Sequence, residues 1–227
     1  MVQQNLPVEL YRNITEGVEH CSDLLNLSLV SRPYNHETNW ILYGTINLDY
    51  DECPETSEKL EKMLKRLPEY PRLSIFLRKL DIFELGDEDH PIQVEEWINF
   101  ATFLASCVNL KVLELPNGYS QIFLPPPTSL FRLLRFALTD VEDHGPVVRF
   151  LESQNEIQEL VGSVEEPLLG VSPGCLPNIH FLQGDFEFCL PWLGDRPIRR
   201  LEVLCVKVET QVATVPDLPT LDSLCLD

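Results

Sequence analysis

One short phrase recurs down most of this chain, Leu-x-x-Leu-x-Leu with other apolar residues standing in, and each copy leads into a loop and a helical or irregular return. Copies lie at 77–82, 110–115 (Leu-Lys-Val-Leu-Glu-Leu, the cleanest), 133–138, 157–162, 179–184, 201–206 and 221–226. Anchoring each on its middle apolar residue gives positions 80, 113, 136, 160, 182, 204 and 224, spaced by 33, 23, 24, 22, 22 and 20 residues. A phrase this short makes one strand whose alternate side chains point inward, and no single strand can bury that face alone. Stacked copies therefore predict an α/β fold, with parallel strands on a concave side and helices and loops on the convex side. Three returns have helical spacing: 57–67 with Leu60, Leu64 and Leu67, 94–107 with Val94, Trp97, Ile98, Ala101 and Leu104, and the shorter 146–151. The later returns, rich in Pro and Gly, read as loops.

The first 48 residues do not share the phrase, and they carry more apolar side chains than so short a segment hides within itself. Pro7 suits a helix start, and Leu10, Ile14 and Val18 follow at steps of four. Ser22 is the expected N-cap of a second helix, with Asp23 in its first turn. Leu24, Leu25, Leu27, Leu29 and Val30 then occupy most of that helix's circumference. Pro33 is expected to end it, and a third, more polar helix follows over 35–43.

The order Leu6-Pro7-Val8-Glu9-Leu10, Ile14, Asp23-Leu24-Leu25-Asn26-Leu27-Ser28-Leu29-Val30-Ser31-Arg32 and Trp40-Ile41-Leu42-Tyr43 resembles an F-box, in wording close to fungal F-box proteins. That resemblance covers residues 6 to 48. It implies a three-helix module over 1–48 that docks on a Skp-family adaptor, and through it on the cullin scaffold of an SCF ubiquitin ligase. Carried onto this sequence, it assigns Leu6, Pro7, Leu10, Ile14, Leu24, Leu27, Val30 and Leu42 to the adaptor face or the packing behind it. The stretch after Arg32, often aromatic in that family, is Pro33-Tyr34-Asn35-His36 here. Residues 49–227 resemble the degenerate leucine-rich repeats that follow many fungal F-boxes, including the turns 176–179 and 196–201. The Asn or Cys expected three residues after the phrase is Gly118 or Glu165, so the solenoid is expected to be irregular. With Asp227 directly after a strand phrase and no covering element, the repeat domain is expected to be incomplete at its C-terminal end.

Composition narrows the partners. The formal charge is −19, and residues 1–48 hold only five acids and two bases, leaving 31 acids against 15 bases beyond them. Such a field repels nucleic acid and anionic membranes; it either attracts a basic protein or simply keeps the surface soluble. Neither nucleic acid nor membrane is an expected partner. No stretch reaches the roughly 18 apolar residues of a membrane span, and the opening residues lack a basic, then apolar, leader. Seven cysteines without a Cys-x-x-Cys pair, most inside apolar runs, read as reduced thiols of a cytoplasmic or nuclear protein.

The residues offer little catalytic chemistry. Gly170-Val171-Ser172-Pro173-Gly174 matches a nucleophile elbow, yet the residue after the serine must donate a backbone N–H and is proline. The acidic clusters 49–52 and 86–90 fit no calcium loop, and the five histidines form no ligand pair. No cofactor is expected, and the chain reads as a non-enzyme. Two functions follow: a substrate-recognition subunit of an SCF-type ligase, or a leucine-rich scaffold whose N-terminal helices only cap the solenoid. In either case an unidentified target protein would meet the variable strand positions, among them Arg78, Asp81, Lys111, Glu114, Arg135, Gln158, His180 and Glu202.

Overall fold

A computed structural model describes residues 6–48, 62–63, 65–82, 94–115, 124–126, 128–138, 144–163, 168, 170–193, 196–204 and 223–226. The chain opens with three helices: α1 (Val8–Glu16), α2 (Cys21–Ser28) and α3 (Arg32–Leu42). Pro7 is the N-cap of α1, and Gly17 closes it. Two local expectations change. His20 precedes α2 and Ser22 lies inside its first turn, so the serine caps nothing. Pro33 does not end α2 but sits in the first turn of α3, where its missing N–H loses no partner; Ser31 is the cap, accepting from the Tyr34 N–H at 3.5 Å.

The three helices pack around a small polar and aromatic centre. Tyr11 meets Tyr34 edge-on with ring centroids 4.8 Å apart. Arg12 Nε donates to the buried Glu37 carboxylate at 3.0 Å, and the Thr38 hydroxyl, also buried, donates to the Tyr34 carbonyl at 2.7 Å. Leu24 is the leucine of α2 that goes inside.

Among the described residues eight strands form one open, all-parallel sheet in sequence order: β1 (Thr45–Leu48), β2 (Lys79–Ile82), β3 (Val112–Glu114), β4 (Arg135–Leu138), β5 (Glu159–Gly162), β6 (Phe181–Gly184), β7 (Arg200–Val203) and β8 (Ser223–Leu226). Ile46, Leu80, Leu113, Phe136, Leu160, Leu182, Leu201 and Leu224 stand side by side across it. The sixth phrase is thus 198–203 rather than 201–206, and its anchor is Leu201 rather than Leu204. The strand at 45–48 heads the sheet from within the segment read as the helical module. Burial follows the phrase: Leu77, Leu110, Leu133, Ile157, Ile179 and Ile198 are sealed, as are the anchors beside them. Burying each such side chain contributes about 2 kcal/mol.

The returns cover the inner face. Helix α4 (Val94–Ala105) contributes Phe100, Phe103 and Leu104, and α5 (His144–Ser153) contributes Val147, Phe150 and Leu151. Phe150 packs on Phe136 and Phe131, with centroids 5.2 and 6.4 Å away. The one-turn helix α6 (Phe186–Cys189) and the following 3-10 turn bring in Phe188, Cys189 and Trp192. Phe188 occupies space that two strands leave open. The last phrase position, Ile82, Leu115, Leu138 or Val203 elsewhere, is glycine in β5 and β6. A Cβ on Gly162 would lie 2.6 Å from the Phe188 ring, and one on Gly184 would lie 2.0 Å from the Gly162 carbonyl oxygen. The expected helix at 57–67 lies largely outside the described residues, as do Gly118 and Glu165. Side chains tie successive repeats on the return side: Asn109 Nδ2 donates to the Ile75 carbonyl (2.6 Å), Asn178 Nδ2 to Asn155 (3.0 Å), and Gln154 Oε1 accepts from the Leu133 N–H (3.1 Å).

Candidate protein-interaction site

Helix α1 wears its apolar side outward. Its buried residues are Tyr11 and Thr15, while Leu10 and Ile14 are 43% and 44% exposed, and Leu6, Pro7 and Val8 extend the same apolar run into the helix start. A second exposed group comes from α2 and the turn after it: Leu25, then Leu29 at 83% and Val30 at 68% exposure. Of the residues assigned to an adaptor face, Leu6, Pro7, Leu10, Ile14 and Val30 are exposed, Leu27 and Leu42 are half-buried, and Leu24 is core. Val8, Leu25 and Leu29 belong with the exposed set. Leu25 and Leu29 stand four apart, a signal available in the sequence.

Contact between the helices and the segment leading into β2 is made by α3. Its Trp40 and His36 meet Phe76 edge-on, at 6.4 and 5.3 Å between centroids. The Arg78 guanidinium lies 4.6 Å from the Trp40 ring centroid and donates to the Trp40 carbonyl at 3.4 Å. Gly44 makes this approach possible, since a Cβ there would sit 2.3 Å from that carbonyl oxygen and 2.6 Å from Arg78 Nη2. Arg78, a candidate target-binding residue, is therefore used inside the molecule. A cleft of about 390 Å³ opens beside this seam, lined by Asn35 and Asn39 of α3 and its C-cap Tyr43, with Tyr70, Arg72 and Ile75 across from them.

The remaining target candidates divide by strand position. Asp81, Glu114, Arg135 and Glu202 lie on the outer face; Lys111, Gln158 and His180 precede the strands, where each hands its carbonyl to the next repeat. Lys111 Nζ donates to the Arg132 carbonyl at 3.1 Å. On the outer face Arg135 bridges two strands, Nε to Glu114 at 2.9 Å and Nη1 to Glu159 at 3.2 Å. Lys79 pairs with the buried Asp81 at 3.0 Å, and one Asp81 oxygen has no hydrogen-bond partner among the described residues. Arg200 contacts Glu202 and lies 5.0 Å over the Phe181 ring centroid. Lys79, Glu159, Phe181 and Arg200 are outer-face residues that the sequence reading passed over. Alternation outward from each anchor leucine points to them.

The other chemistry is structural. Desolvation pushes the buried thiols of Cys107 and Cys189 up to about 12, and Cys175 to about 11; Cys21 is exposed. Ser172 lies in a loop, as read, and its hydroxyl donates to Glu152. Among the described residues no group of three or more His, Cys, Asp or Glu is arranged to hold a metal; the acidic clusters 49–52 and 86–90 lie outside them. No described helix is long and apolar enough to cross a membrane. No protein-family model matches the sequence, and no curated protein matches it.

Proposed function

We propose that this chain is a non-catalytic substrate-recognition subunit of an SCF-type ubiquitin ligase, its N-terminal helices an F-box that docks on a Skp-family adaptor and its repeats a leucine-rich surface for a target protein. The observation that carries the reading is the inverted burial of α1, which hides Tyr11 and Thr15 while Leu6, Pro7, Leu10 and Ile14 face solvent. Exposed apolar side chains gathered on one small module mark a docking surface. The alternative, helices that only cap the repeats, asks those leucines to pack on the repeats, and the contact the helices make there runs instead through Trp40 of α3 with Phe76 and Arg78. Phrases stacked in register, one strand per repeat, support the leucine-rich reading of the rest.

Function would then rest on proximity. Helices α1 and α2 hold the chain on the ligase, the repeats hold the target, and a target lysine reaches an effective concentration near the charged ubiquitin-conjugating enzyme that it lacks free in solution. The test is titration of the purified chain with a Skp-family adaptor, repeated with Leu10→Asp and Val30→Asp. Both side chains are exposed, so melting temperature should hold while affinity falls about thirtyfold or more, the range of a lost hot spot. Wild-type binding that survives both changes would refute the reading.

A further inference from the structure

We propose that Ser172 is a phosphorylation site for a proline-directed serine/threonine kinase, and that its phosphate separates the loop from helix α5. Ser172-Pro173 is the single Ser-Pro step in the sequence, and there is no Thr-Pro step. Both residues are exposed, in a loop without strand pairing before β6. Room to re-form the backbone is present on either side: a Cβ on Gly170 or Gly174 would meet none of the described residues within 4 Å. A kinase that reads the proline ring, with its fixed φ and missing N–H, needs such an exposed segment it can straighten.

The surroundings give the modification a consequence. The Ser172 hydroxyl donates to Glu152, in the last turn of α5. On the other side, Arg196 Nη2 donates to the Ser172 carbonyl at 3.2 Å, Nε to the Cys175 carbonyl at 3.0 Å and Nη1 to the Pro191 carbonyl at 3.1 Å. In the reaction Ser172 Oγ attacks the γ-phosphorus of the kinase's nucleoside triphosphate. An Oγ–P bond forms, the bond from that phosphorus to the β–γ bridging oxygen breaks, the hydroxyl proton passes to the kinase's base, and the nucleoside diphosphate leaves. The product carries a charge of about −2 and no hydroxyl proton to donate. The Glu152 contact turns from a hydrogen bond into repulsion, while the phosphate gains a guanidinium partner in Arg196. The loop thereby leaves α5 and turns toward Arg196. This inference stands apart from the ligase reading and would hold for a scaffold equally.

The experiment treats the folded full chain with a cyclin-dependent kinase and magnesium ATP, using a peptide of residues 168–178 to verify that the kinase accepts the site. One phosphoryl group at Ser172 is expected, absent from Ser172→Ala and slowed about tenfold or more in Pro173→Ala. Phosphorylation of the peptide but not of the folded chain, or an unchanged rate in Pro173→Ala, would overturn the site. Hydrogen exchange reads the consequence: amides of 150–153 and 170–176 should exchange faster after phosphorylation, and less so in Glu152→Gln. Unchanged exchange in the modified chain would overturn the switch.

Discussion

Replacing Gly162 or Gly184 by alanine adds one methyl group at a place where the strands and α6 leave no room. At Gly162 the new Cβ would stand 2.6 Å from two atoms of the Phe188 ring and 2.9 Å from the Leu138 carbonyl oxygen. The ring is sealed in the core and must turn or drag α6 outward, an overpacking cost of about 1–3 kcal/mol. At Gly184 the nearest atom is the Gly162 carbonyl oxygen, 2.0 Å away, which moves only if the β5–β6 pairing moves. That cost should reach about 3 kcal/mol or more, a large part of the roughly 5–15 kcal/mol that holds a domain together. Gly174→Ala is the control: its Cβ meets none of the described residues within 4 Å, and it should stay within about 0.5 kcal/mol of wild type. Urea denaturation measures all three. Phe188→Leu supplies a second check, because shortening the ring should relieve Gly162→Ala by about 1–2 kcal/mol in a double-mutant cycle but relieve Gly184→Ala little. An alanine at 162 that costs under about 0.5 kcal/mol, or whose cost simply adds to that of Phe188→Leu, would refute this account of the packing.

The outer-face ion pairs should divide by burial: Arg135→Met strands the buried Glu114 carboxylate and should cost about 1–3 kcal/mol in urea denaturation, whereas Arg200→Met, at an exposed site, should stay within about 0.5 kcal/mol. Native-state alkylation near pH 8, followed by peptide mapping, should label Cys21 and leave Cys107, Cys175 and Cys189 untouched until denaturant is added. The same three thiols make stability fall in alkali. Their folded values lie above the ordinary 9.0, so above that pH the unfolded chain gives up protons the folded chain keeps, and stability is lost progressively toward pH 11–12. Thermal melts flat from pH 9 to 11 would contradict this.

Phrase positions were legible because the apolar spacing that defines a strand phrase also defines its buried face, and five copies from 77 to 184 coincide with observed strands. The sixth shows where that signal fails. Ile198-x-x-Leu201-x-Val203 and Leu201-x-x-Leu204-x-Val206 fit the pattern equally well, and the pairing of Leu201 with Leu182 and Leu224 decides between them. Strand β1 was hidden because Tyr43 stands where the other copies open on Leu or Ile, although Ile46 and Leu48 fill the later apolar positions. The roles of Gly162 and Gly184 appear only once Phe188 arrives from a different repeat. At the candidate site, the sequence named the apolar residues of α1 and α2 but did not separate Leu24, which is core, from Leu25 and Leu29, which are exposed. Tyr11, Thr15 and Glu37 take the inner positions through an aromatic contact and an ion pair between helices, and that choice leaves Leu10 and Ile14 to solvent. Arg78 and Arg135 looked like free recognition residues, since nothing local in the sequence announces Trp40, Glu114 or Glu159 as their partners.

The central claim is that the exposed leucines of α1 and α2 are an adaptor-docking surface. Hydrogen exchange of the full chain with and without a saturating Skp-family adaptor tests it most directly. The account predicts exchange slowed about tenfold or more across residues 8–30, with β4 to β7 unchanged. Protection on the sheet face instead, or an exchange pattern that the adaptor leaves unaltered, would contradict it.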